Sequence, residues 1–182
     1  MDNHAERWPK GDADACAAVM VIRPSNDADA DAIWNVLEPV IRAGETYALP
    51  RNWTRAQALA YWHAPVHTVF VVEDAGTIVG TYYLRANQQG GGAHVANCAY
   101  VTATHARGRG VGHAMGVDSL QRAAAMGFAA MQFNFVVSTN ASAVALWKSL
   151  GFSIVGTLPL AFRHPRFGLV DALIMYRMID PD

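Results

Sequence analysis

Charge is the first thing this sequence is short of. Asp, Glu, Lys and Arg make up 16% of its 182 residues, and 14 basic side chains set against 15 acidic ones leave a net charge of -1. Proteins that grip a nucleic-acid backbone carry a marked basic excess, so no nucleic-acid partner is expected. Cysteine is nearly missing too. Cys16 and Cys98 stand far apart with no Cys-x-x-Cys spacing, which argues against a disulfide framework and against a cysteine-based zinc site. No metal is therefore expected, and a reducing cytoplasm is the expected location. No apolar run reaches the roughly eighteen residues that a membrane-crossing helix needs, so no membrane partner is expected either. The apolar stretch from Ala15 to Ile22 follows Asp2, Glu6, Asp12 and Asp14, whose sign is wrong for the start of a secretory signal.

Apolar residues, by contrast, are plentiful at 52%, enough to offset the entropy of ordering the chain. The length suits one domain of about 150 residues and a short extension. Residues 1–19 scatter charge around Pro9 and Gly11 without periodicity, so they are expected to be a disordered N-terminal extension, with the folded domain over 20–182 and a first short strand from Met20. Ala30, Ile33, Trp34, Leu37 and Ile41 recur at helical spacing after Asp27, a capping residue, while Pro39 is expected to kink or shorten that helix. Thr54 with Gln57 forms a capping box for a second helix, closed by Pro65.

Thr68 to Val72 and Thr77 to Leu84, joined through Asp74, Ala75 and Gly76, predict a β-hairpin, and His94 to Thr102 adds a strand. The period then changes. A glycine-rich turn from Arg107 to Gly112 leads into an Ala-rich helix ending at Gly127, a strand from Ala129 to Val137 and a short helix from Asn140 to Leu150. Phe152 to Val155 and Leu169 to Ile179 supply the last strands. The fold class is α/β (α+β): a single mixed, mostly antiparallel sheet with helices on both faces and a strand-helix-strand crossover at its centre.

The turn Arg107-Gly108-Arg109-Gly110-Val111-Gly112, with His113 following, opens a helix. Backbone N–H groups there lack helical partners and favour an anion, the glycines admit close approach, and Arg107 and Arg109 can bond phosphate oxygens. A solvated basic turn is the plain alternative. A dinucleotide fingerprint fails because His113 stands where the third glycine belongs, and a triphosphatase loop fails because no Gly-Lys-Ser/Thr tripeptide exists.

The segment Tyr100 to Gly112, with its Arg-x-x-Gly-x-Gly core, resembles the acetyl-CoA motif of the GCN5-related N-acetyltransferases (GNAT), and Asn140, Leu146, Gly151 and Phe152 match that family's second signature. The resemblance covers roughly residues 20 to 179. It implies the GNAT fold, acetyl-CoA as cosubstrate, and transfer of acetyl to an amine by direct attack. It also implies that Tyr100, Val101 and Thr102 pair through their backbone with the pantetheine arm, that Gly108 to His113 cradle the pyrophosphate, and that Asn140 faces the cofactor. A strand amide at Val101 or Thr102 would stabilise the oxyanion. Family likeness further suggests a homodimer.

Asn97-Cys98-Ala99-Tyr100, Phe133-Asn134-Phe135, Thr139-Asn140-Ala141-Ser142 and Trp147 look like the acetyltransferases that detoxify proline analogues such as azetidine-2-carboxylate. By that likeness Asn97, Asn134 and Asn140 line the cleft, orient a small amine or amino-acid acceptor and support catalysis. The general base is not identified. Many GNAT members place a Tyr seven residues after the Asn to protonate the leaving thiolate, whereas this chain has Trp147, which has no acidic proton to give. Acetylation of a protein N-terminus or lysine is the enzymatic alternative, opposed by the lack of an acidic run, and a catalytically silent CoA-binding sensor is the other.

Several residues admit plainer readings. His94 and His105 are read as surface or packing residues, and Cys98 as core. Glu45 and Tyr47, in the loop between the first two helices, are candidate substrate contacts, with a simple helix-end role as the alternative for Glu45. Asn134 interrupts an apolar strand, and a buried amide left bare costs roughly 1 to 3 kcal/mol, so it needs a ligand or a backbone partner.

Overall fold

Among the described residues, seven strands and four α-helices follow one another in the expected order: β1 (Val21–Pro24), α1 (Ala30–Ala43), α2 (Arg55–Trp62), β2 (Thr68–Asp74), β3 (Thr77–Ala86), β4 (Val95–Thr102), α3 (Val111–Ala125), β5 (Ala130–Val137), α4 (Ala141–Ser149), β6 (Ser153–His164) and β7 (Gly168–Met178). The structure is a computed structural model that describes residues 20–179. The extension expected over residues 1–19 lies outside the described residues. One sheet runs β1-β2-β3-β4-β5-β7-β6, and every neighbouring pair is antiparallel except β4 with β5. Among the described residues, no helix is long and apolar enough to cross a membrane.

Alternation along β3 shows how the helices divide between the faces. A Cβ on Gly80 would come within 2.9 Å of Val111 Cγ1, and the Tyr82 hydroxyl donates to Asp118, so this face carries α3. The intervening residues point the other way. Thr81 Oγ1 accepts from Trp62 Nε1 at 3.0 Å and donates to the Phe70 carbonyl at 2.9 Å, while the Tyr83 ring meets Trp62 edge-on at 4.9 Å. That opposite face carries α2.

Three local expectations need correction. Pro39 does not shorten α1, which continues to Ala43 and ends at Gly44 in the left-handed conformation (φ 62°). Pro39 is exposed, so the carbonyl it leaves unbonded faces water, while Ile33, Val36, Leu37, Val40 and Ile41 bury the opposite stripe. Asn26, not Asp27, is the capping residue: its side chain accepts from Ala28 N–H, and Asp29 reaches back to the Asn26 N–H at 2.8 Å. Finally, β6 runs to His164 and does not stop at Val155. Pro159 does not end it, because β6 is the outermost strand, where a proline can turn its nitrogen to the open edge. The ladder slips between Leu158 and Phe162, where Leu160 takes φ 52° and donates its N–H to Asp171 at 2.8 Å.

The β2–β3 hairpin closes with Asp74 opposite Thr77, leaving Ala75 (φ 47°) and Gly76 (φ 77°) as its two-residue turn. Positive φ at both positions matches the twist of the flanking strands.

Thr81→Val should destabilise the fold by about 1 to 3 kcal/mol, because it leaves the Trp62 N–H unpaired in a fully buried place. A urea-unfolding midpoint equal to that of the unaltered protein would refute this.

Candidate active site

The site begins where β4 and β5 separate. They pair only at Val95 with Ala130 and Ala96 with Met131, and beyond that point no ladder joins them. On its other side β4 stays bonded to β3. Ala103 N–H donates to the Val79 carbonyl and Asn87 N–H to the Val95 carbonyl, which places the odd-numbered residues of β4, Val101 included, in hydrogen-bonded pairs with β3. The backbone groups of Tyr100 and Thr102 therefore turn toward the gap. Of the two strand amides expected at the oxyanion, Val101 is engaged in the ladder and Thr102 faces the opening. The Tyr100 carbonyl accepts from the Tyr47 hydroxyl at 2.7 Å.

The glycine turn closes one end of this gap. Gly108 (φ 75°) and Gly110 (φ 82°) are left-handed, Gly110 caps α3, and a Cβ at either would meet nothing within 4 Å. Gly112 packs closely, with its Cβ direction 3.2 Å from Leu146 of α4. Arg107, Gly108, Gly110, Val111, Gly112 and His113 line a cleft of about 660 Å³ that continues past Tyr100, Val101 and Thr102. Arg109 does not join them. Its guanidinium bonds the nearly buried Asp74 carboxylate at 2.6 Å, on the hairpin turn, so the expected phosphate contact from Arg109 is replaced by an anchor for the loop.

A second cavity of about 280 Å³ adjoins the first, and both are lined by Tyr47, Tyr100, Asn140 and Trp147. Asn97 and Asn134 lie on the second cavity only. Asn97 Nδ2 donates to the Gln132 carbonyl at 2.8 Å, stapling β4 to β5 just where they part. Asn134 finds neither a backbone partner nor a need for a ligand. Its Oδ1 accepts from Gln132 Nε2 at 2.8 Å and its Nδ2 donates to Asn87 Oδ1 at 2.7 Å, a chain of three side-chain amides across the sheet. Asn140 caps α4, its Oδ1 accepting from the Ala143 N–H at 3.3 Å and the Ser142 hydroxyl at 3.1 Å, which leaves its Nδ2 as the free end.

Glu45 lines the larger cleft, held by Arg166 of the β6–β7 hairpin at 3.1 Å. Burial raises the phenols of Tyr47, Tyr83 and Tyr100 well above their ordinary value, so each stays protonated. Trp147 is buried at the seam between the cavities, its ring centre 4.7 Å from Tyr100 and 4.8 Å from Phe133. His94 and His105 are exposed and line neither cavity. Among the described residues, no group of three or more His, Cys, Asp and Glu is gathered as a metal site would require.

Sequence reasoning did not reach Gln132, Asn87, Arg85 or the His164–Arg166 segment. Gln132 stands two residues before Asn134 on an apolar strand, a same-face pair that period-two reading could have found. Arg85 sits in an extended run and carries no local signal.

Cys98 is core. Burial pushes its thiol up to about 12, so at pH 8 it stays uncharged, buried in the wall of the second cavity. Iodoacetamide at pH 8 should leave the Cys98 peptide unmodified in the folded protein and label it after denaturation, as peptide mapping by mass spectrometry would show.

Comparison with known proteins agrees with this geometry. The sequence matches the acetyltransferase (GNAT) family over residues 32–152. A GCN5-related N-acetyltransferase from Kribbella flavida is 43% identical and has a TM-score of 0.84, the match covering 87% of this chain and 97% of that one. The N-acetyltransferase aca1 of Schizosaccharomyces pombe is 26% identical over 151 residues, which span 74% of this chain and 72% of that protein. A phosphinothricin acetyltransferase from Sinorhizobium meliloti, solved in complex with AcCoA, shares the fold at a TM-score of 0.77 and 20% identity, over 88% of each chain. The separated strands, the left-handed glycine turn and these relatives together place the chain in the GNAT family of N-acetyltransferases.

Proposed function

We propose that the protein transfers the acetyl group of acetyl-CoA to the amine of a small molecule or amino acid. The observation that carries this reading is the gap between β4 and β5, with unpaired backbone along one wall and an open glycine cradle at its end. The cradle suits a pyrophosphate. Gly108 and Gly110 leave open the space that side chains would fill, N–H groups at the start of α3 point outward, and Arg107 stands beside them. Tyr100 and Thr102 would hold the pantetheine arm as a neighbouring strand would. The remaining amide of Asn140 would donate to it.

Acetyl-CoA, when bound, supplies a thioester that the acceptor amine attacks and a thiol of pKa about 8.5 that departs with little assistance. Thr102 contributes an N–H aimed into the gap and fixed before reaction. Trp147 contributes shape, since an indole has no acidic proton to give. Among the described residues no Asp, Glu or His lines the second cavity, and the acceptor's proton is assigned to water. The likeness to proline-analogue acetyltransferases makes azetidine-2-carboxylate the first acceptor to try. A homodimer and a cytoplasmic setting belong to the same reading.

Gly110→Val should abolish acetyl-CoA binding, and Arg107→Ala should weaken it about tenfold, roughly 1.4 kcal/mol, whereas Arg109→Ala should change it less than about threefold. Calorimetry on the folded variants checks this, and an Arg109 variant weaker than the Arg107 variant would reverse the two roles.

Mass spectrometry of an acetyl-CoA reaction with pooled amino acids and small amines should show a mass gain of one acetyl group on at least one acceptor. Trp147→Phe should keep turnover of that acceptor within about threefold, because only packing changes. A pool left unacetylated by a protein that binds acetyl-CoA would favour the silent sensor.

A further inference from the structure

Among the described residues, one charged side chain lines the second cavity, and its charge is positive. Arg85, on β3 opposite Asn97 of β4, opens onto the same space as Tyr61, Tyr83 and Asn134. Its Nε is buried and has no hydrogen-bond partner among the described residues. No described carboxylate pairs with it either, although Arg23, Arg109 and Arg122 are each held by an Asp within 3 Å. A half-buried guanidinium with a bare N–H is a costly arrangement, and buried polar groups in folded proteins are almost always satisfied. An anion entering the cavity would supply the missing partner.

We propose that Arg85 anchors the carboxylate of the acceptor, so that the acceptor is a small amine bearing a carboxylate. This rests on the acetyl-transfer reading above. A planar guanidinium presents paired donors that match the two carboxylate oxygens, a geometry no other lining residue offers. The walls suit the rest of such a molecule. Tyr83 stacks on His67 at 3.8 Å and meets Tyr61 edge-on at 6.4 Å, giving a rigid aromatic side for an apolar body. The span is right as well: Arg85 pairs with Asn97 and Tyr82 with Tyr100, three residues along the strand or about 10 Å, which one arginine side chain and a small amino acid bridge. In the transfer, nitrogen bonds to the acetyl carbon, the carbon–sulfur bond breaks, sulfur keeps the electron pair, and the nitrogen's proton passes to water. A lysine-rich protein segment would be repelled by this cavity.

The test uses the full-length protein and thiol release as the readout. The probes are azetidine-2-carboxylate, proline and the other amino acids, each beside its primary amide and its decarboxylated amine. The unaltered protein should favour the carboxylate over the amide by at least tenfold in kcat/KM. Arg85→Gln should lower that ratio at least tenfold, and Arg85→Lys, which keeps the charge but loses the fork, should lower it by an intermediate factor. Melting temperatures report folding, and if Arg85→Gln does not fold, Arg85→Lys alone reads the ratio. An unchanged ratio in the folded variants overturns the anchor. So does an unaltered protein that prefers amides or amines, or one that binds acetyl-CoA yet acetylates no carboxylate probe; acetylation of amines alone leaves the acetyl-transfer reading standing. Failure to bind acetyl-CoA in calorimetry overturns both.

Discussion

Two parallel strands that part after two residues leave a row of backbone N–H and C=O groups with no ladder to join. Such groups cannot be buried bare, so the rest of the site consists of ways to satisfy them. Asn97 reaches across to the Gln132 carbonyl at the point of separation, and the Tyr47 hydroxyl covers the Tyr100 carbonyl. What remains unpaired on Tyr100 and Thr102 faces the cleft, where an extended polar arm would complete the sheet as an added strand does. The gap is both the weakness of the sheet and the surface to which the proposed function assigns the cosubstrate. Aromatic packing of Phe133 against Trp147 and Phe152 fills the space below it and keeps the strands from collapsing together.

A strained turn supports the glycine cradle from behind. Ala75 occupies the left-handed region at φ 47°, a conformation that costs an ordinary residue roughly 1 kcal/mol. The turn it makes places Asp74 against Arg109, the residue between the two left-handed glycines. The hairpin thus fixes the loop from the side away from the cleft, and Arg107 alone of the two arginines is left beside the ligand space.

Much of this was legible in the sequence because it is local. Capping by Thr54 and Gln57, the hairpin at Ala75 and Gly76, the helix that starts within the glycine turn and the order of strands and helices all follow from residues a few positions apart. The misreadings arise where distant chain decides. Pro39 looks like a helix breaker until its exposed position is known, and the strand expected to stop at Val155 runs on because β6 is an edge. Arg109 reads as a phosphate ligand because Asp74 lies 35 positions earlier. Asn134 stood out correctly as an oddity, but its partner Asn87 is 47 positions away and spacing cannot reveal it. Arg85 was silent because its significance is the lack of a neighbour.

The two cavities meet at Tyr47, Tyr100, Asn140 and Trp147 and otherwise have mostly separate walls. On the proposed acetyl-transfer reading each ligand has its own place, and neither must leave before the other enters. Buried Cys98 offers no nucleophile on which an acetyl group could wait between two visitors. A ternary complex is the natural reacting species for this architecture, so double-reciprocal plots of initial rate against one substrate, at several fixed levels of the other, will intersect instead of running parallel.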